Sequence, residues 1–185
     1  AIEEAKEMQE KNQSIPPLEH EPLNTSEETK PNIPPKREHL RYRIWNNPVG
    51  GPQELFYEYG SRQIIRNQMN EIIETESPIY KSLMQKRVAD AWGFKRIGGQ
   101  ISDILDSCLA DDFIFTKHGE EKVYWKKNAK PDQFFDFRVP AEGDEKRSIS
   151  QIPPEELASA MREILSDFHS CEKDVLYRET LAFPF

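Results

Sequence analysis

The sequence predicts an α+β protein built on a winged helix-turn-helix core. Between residues 61 and 127, three short segments carry apolar residues at the spacing of an α-helix, and two alternating runs follow them. Residues 118–120, which read His-Gly-Glu, separate the two runs and indicate a hairpin turn. Three short helices followed by a β-hairpin is the element order of a winged helix.

The predicted organisation has four parts. Residues 1–38 are a proline-rich acidic linker, largely extended, and residues 39–60 are an arm packed on the core. Residues 61–127 are the winged-helix core, and residues 128–185 are a C-terminal extension with two helices. Eight of the fourteen prolines precede residue 53, which locates the linker at the N-terminal end.

The arm is predicted from an alternating pattern in residues 39–47. Leu40, Tyr42 and Ile44 would form its apolar face, and Trp45 falls on the opposite face. The segment before the first helix is apolar and aromatic, and we expect it to cover that helix. Its members are Leu55, Phe56, Tyr57 and Tyr59.

Each of the three core helices has an apolar stripe. The first helix is expected to start near Ser61, a good N-cap residue, and the second to end at Gly93, which suits a left-handed position. Gly98 and Gly99, at the start of the third helix, would allow another backbone to approach closely. The stripes are Ile64, Ile65, Met69, Ile72 and Ile73 in the first helix, Leu83, Met84, Val88, Ala91 and Trp92 in the second, and Ile97, Ile101, Ile104, Leu105, Cys108 and Leu109 in the third.

The predicted hairpin puts Phe113 and Phe115 on one face, with Val123 and Trp125 as their cross-strand mates. A looser strand pattern follows at residues 134–139. The first helix of the extension starts with proline and acidic residues, which the first turn tolerates. This helix carries Leu157, Met161, Ile164, Leu165 and Phe168, and a last helix begins near Glu172.

Composition sets limits on function. The net charge is −8, but residues 61–126 hold ten basic and ten acidic side chains, so the core is neutral within an acidic chain. This balance argues against a strong nonspecific grip on nucleic acid. Cys108 and Cys171 are too few for a disulfide framework, and Cys108 lies on an apolar stripe. No run of about 18 apolar residues and no signal-peptide pattern is present, so we expect a cytoplasmic protein without a membrane span.

The sequence contains no catalytic motif. A phosphate-cradling Gly-rich loop ending in lysine is absent, and the four histidines are scattered. His118 has Glu121 nearby, but a hairpin tip favours a solvated charge cluster over a metal site. Glu155 and Glu156 are interpreted as favourable charges at a helix start. We therefore expect no enzymatic activity and no cofactor in this fragment.

A nucleic-acid interface is the alternative that the predicted fold suggests. The recognition helix of a helix-turn-helix presents its N-terminal residues to base edges. Cations suit phosphate, and an amide suits adenine. The candidates are Lys95, Arg96, Gln100 and Ser102 around the third helix, and Lys117 and Lys122 on the wing, where His118 could add to them. Asp103 and Asp106 on the exposed side of that helix, with Asp111 and Asp112 at its end, oppose DNA contact. From these residues, DNA contact and protein docking are equal alternatives.

Two blocks of the sequence resemble a known family. Residues 78–101 contain the run Arg87 to Gly99, which reads RVADAWGFKRIGG, and residues 152–161 with 177–180 form the second block. Both are similar to a helicase-associated domain of unknown function, winged-helix-like, that lies near the C-terminus of large bacterial superfamily-1-type DNA helicases. The resemblance covers residues 55–183, with both blocks in the expected order.

The resemblance implies a C-terminal accessory module of an ATP-dependent DNA helicase. The motor would lie upstream, ATP and magnesium would bind only there, and residues 15–37 would be the tether. Ala1 in place of an initiator methionine fits this expectation of a piece of a longer protein. The expected partners are DNA and the upstream motor, and the alternative is a module that docks on the motor without touching DNA. An autonomous transcription regulator is a third, less favoured interpretation.

Overall fold

The computed structural model describes residues 39–46, 50–109, 113–144, 146–168 and 171–185. The predicted linker lies outside the described residues, as do Asp111 and Asp112. Within those ranges the fold is mixed α/β, as the sequence predicts. The helices are α1 Arg62–Glu76, α2 Lys81–Ala91, α3 Gly99–Cys108, α4 Pro154–Phe168 and α5 Lys173–Ala182. The strands are β1 Leu40–Arg41, β2 Ile79–Tyr80, β3 Ile114–His118, β4 Glu121–Trp125 and β5 Arg138–Val139.

Helices α1, α2 and α3 bury most of the predicted apolar stripes in one core. Phe56, in a short 3₁₀ helix ahead of α1, completes this core and is fully buried. Two stripe residues are exposed instead, Ile64 on α1 and Ile97, which precedes α3. The buried members are Ile65, Met69, Ile72, Ile73, Leu83, Met84, Val88, Trp92, Ile101, Ile104, Leu105 and Cys108.

The expected helix boundaries are partly correct. Gly93 has a φ of +78°, so it occupies the left-handed position predicted after α2. Ser61 does precede α1, but its side chain makes no cap bond to the helix. Its hydroxyl donates instead to the Leu55 carbonyl oxygen at 2.6 Å. This bond closes the turn that brings Phe56 under α1.

A close backbone approach occurs, but not where it was predicted. A Cβ built on Gly98 or Gly99 would meet no described atom within 4 Å, so the expectation for this pair is wrong. The close approach is at Gly50, where an added Cβ would lie 1.9 Å from the Ala91 carbonyl oxygen. Only glycine fits at this point, and the arm therefore passes directly over the end of α2.

The longer sheet is antiparallel, with strand order β2-β4-β3. Phe115 pairs with Tyr124, whereas Val123 pairs with Thr116, so the predicted cross-strand mates are wrong by one residue. The reason is that β4 is buried on both faces: Val123, Tyr124 and Trp125 are all buried. A continuous apolar strand carries no alternation from which a register can be read.

The arm is tied to the C-terminal extension. Strand β1 pairs in parallel with β5, and the Tyr42 amide continues the ladder to the Val139 carbonyl oxygen at 2.8 Å. Tyr42 and Trp45 are buried, while Leu40 and Ile44 are exposed, so the predicted apolar face of the arm is wrong. Strand β1 has only two residues, so the alternation of buried and exposed side chains that a strand produces does not extend along the rest of the arm.

The extension covers the face of the longer sheet that points away from α1–α3. The Thr116 hydroxyl donates to Glu155 of α4 at 2.7 Å, and the Trp125 ring packs edge-on against Phe134. Behind this contact lies a second, smaller core of Phe137, Ile152, Ala160 and Phe185. The β3–β4 hairpin is therefore held between two layers.

A buried ion cluster joins these layers. Glu156 is fully buried and accepts hydrogen bonds from Arg138 and from Arg147, the latter at 2.8 and 3.0 Å. Arg138 also donates to the backbone carbonyl oxygens of residues 76–78, at 2.5 to 3.0 Å. The end of α1 and the start of α4 are thus linked through one guanidinium. Glu156 lies in the first turn of α4, as interpreted from the sequence, and its carboxylate also points into the protein, where the two arginines hold it.

Burial opposes the negative charge of Glu156. Hydrogen bonds from Arg147 and the charge of Arg138 outweigh this cost, so the pKa of Glu156 lies below its ordinary value of 4.5. A depressed carboxyl pKa stabilises the fold at pH values above the unfolded-state pKa. That contribution is lost as the pH falls through the folded-state pKa.

Replacing Glu156 with glutamine tests this cluster. Glu156→Gln keeps the shape but leaves two buried guanidinium groups without their shared anion, and we expect unfolding to become easier by about 3–5 kcal/mol at pH 7. Urea unfolding between pH 7 and pH 3 measures both effects. The wild type should lose stability below about pH 4.5, and the variant should lose less over that range.

Glu155→Gln is the matched control, because Glu155 occupies the same helical turn and is not part of the arginine cluster. This substitution should lower the free energy of unfolding by about 1 kcal/mol or less. Equal losses in the two variants would contradict the central place given to Glu156.

Candidate nucleic-acid interface

Lys95 and Arg96 lie in the loop between α2 and α3, residues 92–98, which we call the α2–α3 loop. The sequence pattern predicts both residues at the entry to the third helix, and α3 begins at Gly99. On the near side of the loop, Trp92 is buried and Phe94 packs edge-on against Phe56, with ring centroids 5.0 Å apart. These anchors leave Lys95 and Arg96 exposed at the surface.

The start of α3 presents polar side chains. Gln100 is exposed and Ser102 is half-buried, with the Ser102 amide donating to the Gly98 carbonyl oxygen at 2.9 Å. Of the two polar candidates on α3, Gln100 and Ser102, Gln100 is therefore the one whose side chain is exposed. Asp103 is exposed one turn further along.

Asp106 is bound within the protein. The Lys81 ammonium lies 2.8 Å from its carboxylate, and the amide of Gln85 donates to it at 2.5 Å. Its charge is thus partly neutralised by α2. Of the two described aspartates that oppose DNA contact in the sequence analysis, Asp103 is the one whose carboxylate stays free of the described cations.

The cationic side chains of α2 are likewise paired with carboxylates of the protein. Besides Lys81, Lys86 bonds Asp90 at 3.0 Å, and Arg87 reaches the buried Glu76 at 3.2 Å. The side chain of Arg87 is therefore directed inward. α2 contributes no unpaired cation among its described residues.

The β3–β4 hairpin brings Lys117 and Lys122 together. The two residues lie directly opposite each other in the antiparallel register, on the same face as Phe115 and Tyr124. We call this set of four the lysine face of the hairpin. The Lys122 ammonium lies 4.4 Å from the centre of the Phe115 ring.

His118 belongs to the opposite face. Its Nε2 atom lies 2.8 Å from Glu155 of α4, while the Glu121 carboxylate accepts a hydrogen bond from the Ser82 amide at the start of α2. His118 and Glu121, which were expected to form one charge cluster, therefore contact two different helices, α4 and α2. His118 is not on the face that carries the lysines.

The two cationic groups lie near opposite ends of α3. Tyr124 of the hairpin belongs to the same buried core as Ile104, Leu105 and Cys108, so the second half of α3 faces the hairpin. The α2–α3 loop precedes the first half. Since α3 has ten residues, about 15 Å separates its two ends. Among the residues that the structure describes, Lys95, Arg96, Lys117 and Lys122 form no ion pair.

Residues 54–103 match a family model described as "protein of unknown function (DUF3320)". The match runs from the aromatic segment before α1 into the first half of α3 and so includes the α2–α3 loop. Its description names no activity. No curated protein and no solved structure matches the chain.

The described residues contain no group of three or more His, Cys, Asp or Glu side chains that could hold a metal ion. No described helix is both long and apolar enough to cross a membrane. A pocket beside Tyr42 and Trp45 is bordered by Arg43 and Asp144.

The sequence analysis missed Phe115 as a surface residue. It is 41% exposed, although the hairpin prediction grouped it with Phe113 as a packing residue. The position of the turn is the sequence feature that indicates this. With the turn at residues 119–120, Lys117 pairs with Lys122, and Phe115 lies two residues before Lys117 on the same face.

The difference between the two aspartates of α3 can be tested by alanine substitution. Asp106→Ala should make unfolding easier by about 1 kcal/mol, because Lys81 and the buried Gln85 lose their acceptor. Asp103→Ala, at an exposed position of the same helix, should change stability by about 0.5 kcal/mol or less. Thermal unfolding of both variants measures the difference, and equal effects would show that the Asp106 contacts do not stabilise the fold.

Proposed function

We propose that this chain is a C-terminal accessory module of an ATP-dependent DNA helicase and that it engages or positions DNA through a winged helix. The observation that carries the proposal is the pair of cationic groups at the two ends of α3, which form no ion pair with the described residues. Lys95, Arg96 and Lys117 are exposed, and Lys122 is half-buried. The element order α1-β2-α2-α3-β3-β4 supports it, because a winged helix follows this order. In this proposal α3 is the recognition helix and the β3–β4 hairpin is the wing.

The chemistry of the two ends suits DNA. Lys95 and Arg96 would neutralise phosphates before α3, Gln100 would face base edges, and Lys117 with Lys122 would contact the backbone beyond. Ser102 is half-buried and would contribute a hydroxyl at the margin. Contact along the middle of α3 is disfavoured by Asp103. Binding would therefore be confined to the ends and would depend on salt.

The helicase assignment has a separate basis. It rests on the resemblance of residues 55–183 to the helicase-associated domain, while the matched family of unknown function is consistent with it and adds no activity. In this proposal the upstream motor supplies ATP and magnesium chemistry, and the module itself has no catalytic role. The setting would be the bacterial cytoplasm.

A double substitution in the α2–α3 loop tests DNA contact. Lys95→Ala with Arg96→Ala should weaken binding to a forked DNA about tenfold in 50 mM salt. It should also reduce the slope of log affinity against log salt concentration by about 2, since each lost phosphate contact removes about 0.9. Fluorescence anisotropy at several salt concentrations measures both quantities.

Lys173→Ala with Arg178→Ala is the matched control. It removes the same charge from exposed positions of α5, outside the proposed interface. If both double variants lowered the affinity and the slope equally, the effect would be one of net charge. A loop variant that bound like the wild type would remove α3 and its loop from the interface.

A second candidate function is protein docking on the helicase motor. The observation that favours it is a group of exposed apolar side chains on α4 and α5, which soluble domains often use as contact surfaces. They are Leu165, Phe168, Tyr177 and Leu181. We expect Phe168→Ser with Leu181→Ser to reduce co-purification with the separately expressed motor while leaving DNA affinity unchanged. Unchanged co-purification would exclude this surface as the docking site.

A further inference from the structure

The lysine face of the hairpin places an aromatic ring beside two cations. Phe115 is 41% exposed, Lys122 holds its ammonium 4.4 Å from the ring centre, and Lys117 is exposed two residues along the same strand. We propose that this face binds unpaired DNA bases, which stack on Phe115 while Lys117 and Lys122 contact the flanking phosphates. The inference rests on the proposed function and specifies the DNA structure that the module takes.

Phe115 is a surface residue whose burial is not needed by the core. The core under this face is closed by Tyr124, which is 3% exposed, and by Phe113, which packs edge-on against Tyr124 at 6.1 Å. The Phe115 ring only leans against Tyr124, tilted at 5.8 Å. An exposed phenylalanine is ordinary by itself, so the argument depends on its neighbours.

Those neighbours carry an unfavourable charge arrangement. Lys117 and Lys122 are directly opposite in register, and like charges at such positions destabilise a sheet. None of the four residues on this face is acidic, whereas the carboxylate of Glu121 is bound at the start of α2. A polyanion between the two ammonium groups would remove their repulsion.

The basic character continues past the hairpin. Residues 113–130 hold five lysines against two glutamates, in a chain whose net charge is −8. This segment is net basic, and it surrounds the exposed ring. A cationic surface with an aromatic side chain is the usual means of binding single strands, because every base offers a face for stacking.

Unpaired DNA is favoured over duplex by the aromatic group. In a duplex the base faces are stacked on each other and only base edges and phosphates are accessible along its length, so a phenylalanine ring finds no free base face to stack on. On a bound single strand, the flexible Lys122 ammonium would move from the ring to a phosphate. The ring face that it leaves would accept a base.

The opposite face of the hairpin keeps this surface in position. Thr116 and His118 both contact Glu155 of α4, at 2.7 and 2.8 Å, and the Trp125 indole donates to the Thr116 hydroxyl at 3.2 Å. These contacts leave the lysine face free while they hold the strands against α4. The stacking ring is thus presented on a supported hairpin.

The experiment compares DNA structures with the whole chain. A 15-nucleotide thymine strand, a fork with unpaired arms and a blunt duplex are titrated against the wild type, Phe115→Leu and Phe135→Leu. Phe135 is the matched control, since it is an exposed phenylalanine with a cation, Arg162, 5.4 Å from its ring centre, away from the hairpin. We expect Phe115→Leu to weaken binding of the single strand and the fork about tenfold, with duplex binding unchanged. Phe135→Leu should bind all three as the wild type does.

Phe115→Trp adds a direct readout that does not depend on loss of affinity. It should bind the single strand at least as well as the wild type, and 2-aminopurine placed in the strand should be quenched by stacking on the new indole. Quenching absent at saturation, or equal losses for Phe115→Leu on all three DNAs, would overturn the stacking inference.

The outcomes separate this inference from the function on which it rests. If the chain bound none of the DNAs, the proposed DNA-engaging function would fail, and the stacking inference with it. If duplex binding remained sensitive to Lys95→Ala with Arg96→Ala while Phe115→Leu bound the single strand normally, only the stacking inference would fail.

Discussion

The carboxylate of Glu156 is the point through which the two layers of the structure are joined. Two arginines share it, and one of them, Arg138, extends to the backbone where α1 ends and β2 begins. Because β2 is the first strand of the longer sheet, the hairpin, α1 and α4 are all positioned by the same guanidinium. Three such charges cannot be buried separately at acceptable cost, so the cluster forms only when both layers are folded together.

A second buried carboxylate extends the cluster to the arm. Glu76 accepts a hydrogen bond from the Tyr42 hydroxyl at 2.5 Å and from the Trp45 amide at 2.9 Å, and Arg87 balances its charge. The Tyr42 ring lies under Arg147, 4.1 Å from the guanidinium, so the two carboxylate centres are connected through one side chain. Burial, and then the charge of Glu76, raise the pKa of Tyr42 to about 12, which keeps its hydroxyl a donor at neutral pH.

Local patterns and long-range partners differ in how well the sequence reveals them. The buried stripes of α1 to α3, the turn after Gly93 and the hairpin about Gly119 follow from periods and residue types that act over a few positions. Arg138 lies 18 residues from Glu156 and 60 from the carbonyl of Pro78, and no local pattern indicates those contacts. The same limit applies to the candidate site: the cations of residues 95–96 are evident from sequence, whereas the capture of Asp106 by α2 requires the packed structure.

This internal pairing determines which charged side chains remain available for binding at the surface. The carboxylates of Glu76, Glu156 and Asp106 are occupied by cations or amides of the protein itself, and the cations of α2 are occupied in return. Cations left without an acidic partner among the described residues include those of the α2–α3 loop and the hairpin. An acidic chain therefore presents local basic groups, and its overall repulsion of DNA would favour contacts that add a non-electrostatic component. In the proposed interaction, an exposed ring such as Phe115, on a hairpin fixed from behind by Glu155, would supply that component where charge alone is weak.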